Sequence, residues 1–99
     1  MNTITFEAFE TDALARGFNE VAERRWQPDE VVAEHSHPFG VEALVVQGEM
    51  WLTVGDTVQH LRPGDTFELA HGAPHAERYG PEGATYWAAR RHAPVGPAA

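Results

Sequence analysis

The sequence predicts a small all-β domain, of sandwich or barrel type. Strand-like segments recur along the 99 residues at intervals of about 8–12 residues, which is typical of such folds. Turns rich in glycine and proline separate them, including QPDE, RPGD and HGAP. Because a chain of this length has room for one domain, we expect the strands to share one core.

Taken in order, nine segments are predicted to be strands: TITFEAF (3–9), VAERRW (21–26), VVAEHSH (31–37), EALVVQ (42–47), MWLTV (50–54), TVQHL (57–61), TFELA (66–70), HAERY (75–79) and ATYWAARR (84–91). Gly55-Asp56 is expected to be a hairpin turn. The segment 11–17 is predicted to form one or two helical turns, capped by Thr11 or Asp12 and ended by Gly17. The tail, 93–99, is expected to be disordered.

Composition excludes several classes of function. A formal charge of −8 argues against nucleic-acid binding, which requires clustered basic residues. The chain has no cysteine and no lysine, which removes disulfides, thiolate ligands and Schiff-base chemistry. It also lacks an apolar run of about 18 residues, so no membrane span is expected. The start has no apolar stretch of the kind found in signal peptides, and a cytoplasmic location is expected.

Two histidines stand one residue apart on a predicted strand. Residues i and i+2 of a strand project to the same face, so His35 and His37 are expected to lie side by side. Two imidazoles need a third ligand to hold a divalent metal, and His75, which begins a later predicted strand, is the best candidate. The alternative is that His35 and His37 form a solvated polar pair.

The spacing of the residues around these histidines is a more specific signal than the His-x-His pair alone. The His-x-His pair is followed by four residues, a glutamate, five residues and a glycine; further on, a glycine is followed by five residues, Ala-x-Gly, two residues and a histidine. These positions are, in order, His35, His37, Glu42 and Gly48, then Gly64, Ala70, Gly72 and His75. The two segments resemble the two signature motifs of the cupin family, and the resemblance covers Trp26 to about Arg91. Ala70 stands where the family usually has proline, and Tyr79 where it usually has asparagine.

The resemblance implies a jelly-roll β-barrel and a metal bound by His35, His37, His75 and Glu42. The metal would be one divalent transition ion: zinc, nickel, iron or manganese. Glu42 has the family spacing from the histidines, but counting back from the motif glycine puts the ligand position at Val41 instead. A shift of one residue turns a strand side chain to the opposite face. Glu34 and Glu77 are candidates to replace Glu42 or to lie just outside the ligands, but both are expected to be solvated.

The overall prediction is a single cupin domain over residues 1–92, with its motifs in residues 26–91. It is expected to form a homodimer, with TITFEAF as a candidate strand for pairing across the dimer. It is expected to act on a small molecule, either as a metal-dependent enzyme of dioxygenase or isomerase type or as a non-catalytic binding or sensing module. A third possibility is a stable barrel with a vestigial site. The aromatic residues are expected in the core or lining the barrel rather than clamping a substrate: Phe39, Trp51, Phe67, Tyr86 and Trp87.

Overall fold

The structure is a computed structural model that describes residues 4–92; the predicted disordered tail lies outside this range. One helix and six strands follow one another: α1 Phe6–Ala15, β1 Glu20–Trp26, β2 Val31–His35, β3 Phe39–Val54, β4 Thr57–Leu61, β5 Thr66–Leu69 and β6 His75–His92. The fold is therefore mostly β with one short helix, as predicted.

The N-terminal strand prediction is wrong, because α1 begins at Phe6. Thr5 caps this helix: its hydroxyl oxygen accepts a hydrogen bond from the N–H of Ala8 at 3.1 Å. The rings of Phe6 and Phe9 both contact Trp87, at centroid distances of 5.6 and 5.8 Å. The packing of Phe6 and Phe9 against Trp87 stabilises this helix, which is too short to be stable alone in water.

The segment TITFEAF therefore cannot serve as the strand that was expected to pair across a dimer. The helical turns predicted over residues 11–17 are confirmed for residues 11–15, which form the second half of α1. The predicted cap at Thr11 or Asp12 is wrong, because both residues lie inside the helix. The helix ends at Ala15, and Gly17 follows with a φ of 96°, the left-handed conformation that ends many helices. Within residues 4–92 there is no helix both long enough and apolar enough to cross a membrane.

The six strands form one antiparallel sheet, in which β3 and β6 are the two long central strands. Its order is β1-β6-β3-β4, with β2 also pairing with β6 and β5 with β3. Each long strand joins two predicted segments: β3 contains EALVVQ and MWLTV, and β6 contains HAERY and ATYWAARR. Among the described residues, no pairing joins β1 or β2 to β4 or β5, so backbone pairing does not close the sheet into the predicted β-barrel.

The middle of the β3–β6 ladder is bent at Gly48. The register shifts on either side of it, between Val45 and Gln47 and between Gly48 and Met50, which is typical of β-bulges. Gly48 has a φ of +74°, and a Cβ there would overlap the carbonyl oxygen of Gly83. The motif glycine is thus required by close backbone contact.

Side chains alternate between two buried clusters, one on each face of the sheet. On one face, Ala43 and Val45 of β3 pack with Tyr86 and Ala88 of β6. On the other face, Trp87 and Ala89 pack with the apolar side of α1. The period of two follows from strand geometry. The first face also carries the cluster of histidines described next.

Candidate metal centre

Three histidines meet where β2 and β6 pair. His35 ends β2, and His37 follows two residues later. The antiparallel register sets His35 directly opposite His75 on β6. One ring nitrogen from each of the three lies within 4.8 Å of the other two, and the ring centroids of His35 and His75 are 4.3 Å apart. The structure therefore brings together the three histidines that the sequence singled out.

Backbone carbonyls orient two of these rings. Nδ1 of His35 lies 2.8 Å from the carbonyl oxygen of Ala33, and Nδ1 of His75 lies 3.0 Å from that of Ala73. A carbonyl oxygen can only accept a hydrogen bond, so in each neutral ring Nδ1 carries the proton and Nε2 keeps a lone pair. This arrangement is typical of metal-binding histidines. The residues present therefore fit a divalent transition metal.

Burial favours the neutral form of the His37 imidazole. His75 is buried, and His35 and His37 are half-buried. Burial lowers the pKa of His37, and the neighbouring His35 and His75 lower it further. The His37 ring also stacks on Phe39, with centroids 4.8 Å apart and planes 9° apart. Only neutral imidazole binds a metal. Burial and the neighbouring histidines therefore favour the form of His37 that can be a ligand.

A buried carboxylate faces the histidines. Glu77 follows His75 by two residues on β6 and is only 6% exposed, so the expectation that it is solvated is wrong. Its Oε2 lies 3.6 Å from Nε2 of His35 and 3.6 Å from Nε2 of His75. The strand alternation after His75 could have revealed it, because i and i+2 share a face. Glu34, by contrast, is exposed as expected.

Two tyrosines hold the other oxygen of this carboxylate. The hydroxyls of Tyr79 and Tyr86 both donate to Oε1 of Glu77, the second at 3.4 Å. Both tyrosines are buried. Burial, together with the Glu77 charge, raises the pKa of Tyr86 to about 12, so its hydroxyl keeps its proton at neutral pH.

Glu42 does not lie with the histidines, so the ligand position implied by the motif resemblance needs correction. Its carboxylate is 2.9 Å from Nη1 of Arg16, next to the end of α1. The strand β3 shows no register shift before Val45, so Val41 and Ala43 face the same side, and Glu42 faces the other. Counting back from Gly48 therefore gives the register that the structure has, with Val41 beside the histidines.

A small cavity lies next to the histidine cluster. Its volume is about 20 Å³, enough for one water molecule or ion. Its lining combines apolar side chains with a few polar ones: His37, Phe39, Val41, Phe67, Leu69, His75, Glu77, Tyr86, Ala88 and Arg90. Three of the five aromatic residues considered in the sequence analysis thus line this cavity.

The other two aromatic residues lie elsewhere. Trp87 packs against α1, and the ring of Trp51 is stacked between other groups rather than facing the cavity. The His60 ring stacks on Trp51 with centroids 4.4 Å apart, and the Arg78 guanidinium lies 4.0 Å from the Trp51 ring centre. Trp51 is therefore not part of the metal-facing wall.

Comparison with known proteins agrees with this architecture. A family profile described as "Cupin domain" matches residues 22–84, well over half of the chain. The chain is also 42% identical over 40 residues to an uncharacterized HTH-type transcriptional regulator of Haemophilus influenzae. That match covers 40% of this chain and only 13% of the regulator.

Two solved structures illustrate the fold. An RmlC-like cupin from Shewanella frigidimarina superposes with a TM-score of 0.66 at 20% identity, covering 76% of this chain and 67% of that one. A chain from a study of the DMSP lyases RdDddP and RnDddQII gives a TM-score of 0.69 at 24% identity, covering 78% of this chain and 40% of that one. At these identities the likeness is one of fold.

Proposed function

This chain belongs to the cupin domain family, and we propose that it is a metal-binding cupin in which His35, His37 and His75 hold one divalent transition metal. Zinc, nickel, iron and manganese are the candidates. The convergence of the three rings carries the proposal, together with the backbone hydrogen bonds that leave Nε2 of His35 and His75 with a lone pair. We also propose that the bent sheet takes the jelly-roll form of its family.

The proposed activity is a metal-dependent reaction, of dioxygenase or isomerase type, on a small molecule. A metal at this position supplies a Lewis acid that polarises a carbonyl group or activates water. The chain's own residues control what reaches it: Phe39 and Phe67 exclude bulk water, and Arg90 brings a guanidinium to the lining. A substrate with a carboxylate or another acidic group fits that lining. Because the cavity holds only about 20 Å³, its reacting group rather than the whole molecule would enter.

A second candidate is a sensing module, in which the same cavity binds a small molecule without transforming it. The similarity to a helix-turn-helix transcriptional regulator over 40 residues favours this reading. The two candidates share the metal and the cavity and differ in whether the bound molecule is converted. Oxygen consumption and product formation with small acidic substrates would separate them, since a sensor binds such molecules without turnover.

The direct test of metal binding is the metal content of the purified protein. Elemental analysis is expected to find close to one transition metal per chain, retained through dialysis against buffer and lost on treatment with a strong chelator. Protein that takes up no zinc, nickel, iron or manganese when offered each in turn would overturn the proposal.

We also propose that the protein forms a homodimer and lies in the cytoplasm. Since α1 replaces the N-terminal strand, the dimer would form through another surface. The exposed side chains of Val31 on β2 and Val58 on β4, at 70% and 60% exposure, give an apolar patch that supports such contact. Analytical ultracentrifugation of the full chain would measure the mass of the assembly directly.

A further inference from the structure

We propose that Glu77, rather than Glu42, supplies a carboxylate ligand to the same metal. This inference rests on the proposed metal binding by the three histidines. Oε2 of Glu77 is 3.6 Å from Nε2 of both His35 and His75. Two ligands of a tetrahedral ion with bonds of about 2.1 Å lie about 3.4 Å apart, so Oε2 is spaced from each of the two ring nitrogens as two ligands of one ion are.

The same spacing is too long for direct hydrogen bonds. An N–H···O bond spans about 2.7–3.2 Å, so neither imidazole satisfies Oε2 of Glu77 directly. Both rings also have their protonated nitrogen, Nδ1, directed to a backbone carbonyl. Oε2 and the two Nε2 atoms therefore face one another with no hydrogen bond between Oε2 and either ring, and a cation between them would stabilise this arrangement.

Glu77 is also buried without an arginine partner. Among the described residues, its ion-pair contacts are with His35 and His75 alone. A buried carboxylate is costly unless a positive charge compensates it. Among the described residues, no arginine lies within ion-pair distance of Glu77 to supply that charge. A divalent cation held by the three histidines would.

The carboxylate is fixed in an orientation suited to a single metal bond. Its Oε1 accepts hydrogen bonds from Tyr79 and Tyr86, and these leave Oε2 on the side of the histidines. Hydrogen bonds of this kind hold a ligand in place and account for about 10–100-fold in metal affinity. Glu42 has no comparable position, since its carboxylate pairs with Arg16.

The test compares two isosteric variants, Glu77→Gln and Glu42→Gln. Zinc affinity is measured for each full-length protein and for the wild type by competition with a chromophoric chelator near neutral pH. Glu77→Gln is expected to weaken zinc binding by at least about tenfold, because it removes the charge and the ligand oxygen. Glu42→Gln is expected to change it by less than about twofold, since a solvated surface charge is screened.

The outcomes separate this inference from the proposed function. Wild-type protein that binds no zinc overturns both. Wild-type protein that binds one zinc with the affinity of Glu77→Gln overturns the role of Glu77 and leaves the histidine site standing. A loss in Glu42→Gln with none in Glu77→Gln would restore Glu42 as the ligand.

The glutamine variant is expected to fold, because its amide oxygen can still accept the hydroxyl protons of Tyr79 and Tyr86. Circular dichroism of the metal-free proteins checks this. If Glu77→Gln fails to fold, the crystal structure of the zinc-loaded wild-type protein decides the question. A Glu77 oxygen within about 2.0–2.2 Å of the ion supports the inference. A Glu77 carboxylate outside bonding distance of the ion overturns it.

Discussion

The guanidinium of Arg16 lies 2.9 Å from the carboxylate of Glu42 and so joins the end of α1 to β3. The contact lies on the face of the sheet opposite the histidines. The register of β3 that places Glu42 beside Arg16 also directs Val41 towards the cavity. The position that the cupin motif leads one to expect for a carboxylate is thus occupied here by valine.

Val41→Glu is expected to add a carboxylate to the cavity and to tighten zinc binding several-fold. The same change should destabilise the metal-free protein, because it would place a second carboxylate in the cavity lining that already holds Glu77. Zinc affinity and urea unfolding of both forms would be measured against Val41→Gln, which matches the size without the charge. Equal zinc affinity in the two variants would show that residue 41 does not reach the metal.

Replacing His37 or His75 by alanine is expected to reduce bound metal from about one per chain to a small fraction, since the ion loses one of its proposed protein ligands. His71 is a matched control, because it is exposed in the turn between β5 and β6. Elemental analysis after dialysis gives the metal content of each variant. Full occupancy in both His37→Ala and His75→Ala would contradict the proposed ligands.

Zinc affinity is expected to fall as the pH drops from about 6 to 5. Protons compete with the metal for imidazoles, whose ordinary pKa is about 6.5. Because the pKa of His37 is lowered, protons compete with the metal for this ring only at a lower pH than for an ordinary imidazole. The metal-free protein should also lose some stability below about pH 6.5, because the unfolded chain then binds a proton that folded His37 does not. Chelator competition across this range checks the affinity, which would not change if imidazoles were not ligands.

A separate pH effect is expected at Glu20. The His92 ring, 2.6 Å away, holds the pKa of Glu20 below its usual range, and the charge of Arg90 acts in the same direction. Because the folded-state pKa is lowered, the stabilisation is present above about pH 4.3 and is lost as the pH falls through the folded value. Glu20→Gln should therefore be less stable than the wild type near neutral pH, and the difference should shrink below about pH 4. Urea unfolding at several pH values tests this, with the exposed Glu82→Gln as control; a difference that persists at low pH would count against it.

Gly48→Ala is expected to lower the free energy of unfolding by about 3 kcal/mol or more. Its φ is +74°, and the new Cβ would overlap the backbone of Gly83 and approach the Cα of Ala84 to 2.8 Å. Gly55→Ala is the matched control, since its φ is also positive at +59° but nothing lies within 4 Å of its Cβ position. That variant should lose only about 1–2 kcal/mol. Equal losses in urea unfolding would show that backbone contact at Gly48 is unimportant.

The alternation and turn residues of short segments were sufficient to predict much of the fold. The two-residue hairpin at Gly55-Asp56 follows from turn chemistry alone and joins β3 to β4 as predicted. The N-terminal segment was ambiguous, because TITFEAF alternates as a strand does. Contact with Trp87, far away in the sequence, made it a helix, and no local pattern contains that contact.

The sequence by itself predicted that His35 and His37 share a face and that His75 lies near them, because side-chain direction in a strand follows from spacing and the resemblance to the two motifs relates that pair to His75. Only the tertiary structure decided which acid lies beside them. The face that Glu42 occupies depends on the register of β3, and a shift of one residue reverses it. The burial of Glu77 depends on Tyr79 and Tyr86 closing over its carboxylate, and such packing is a property of the folded sheet rather than of any short segment.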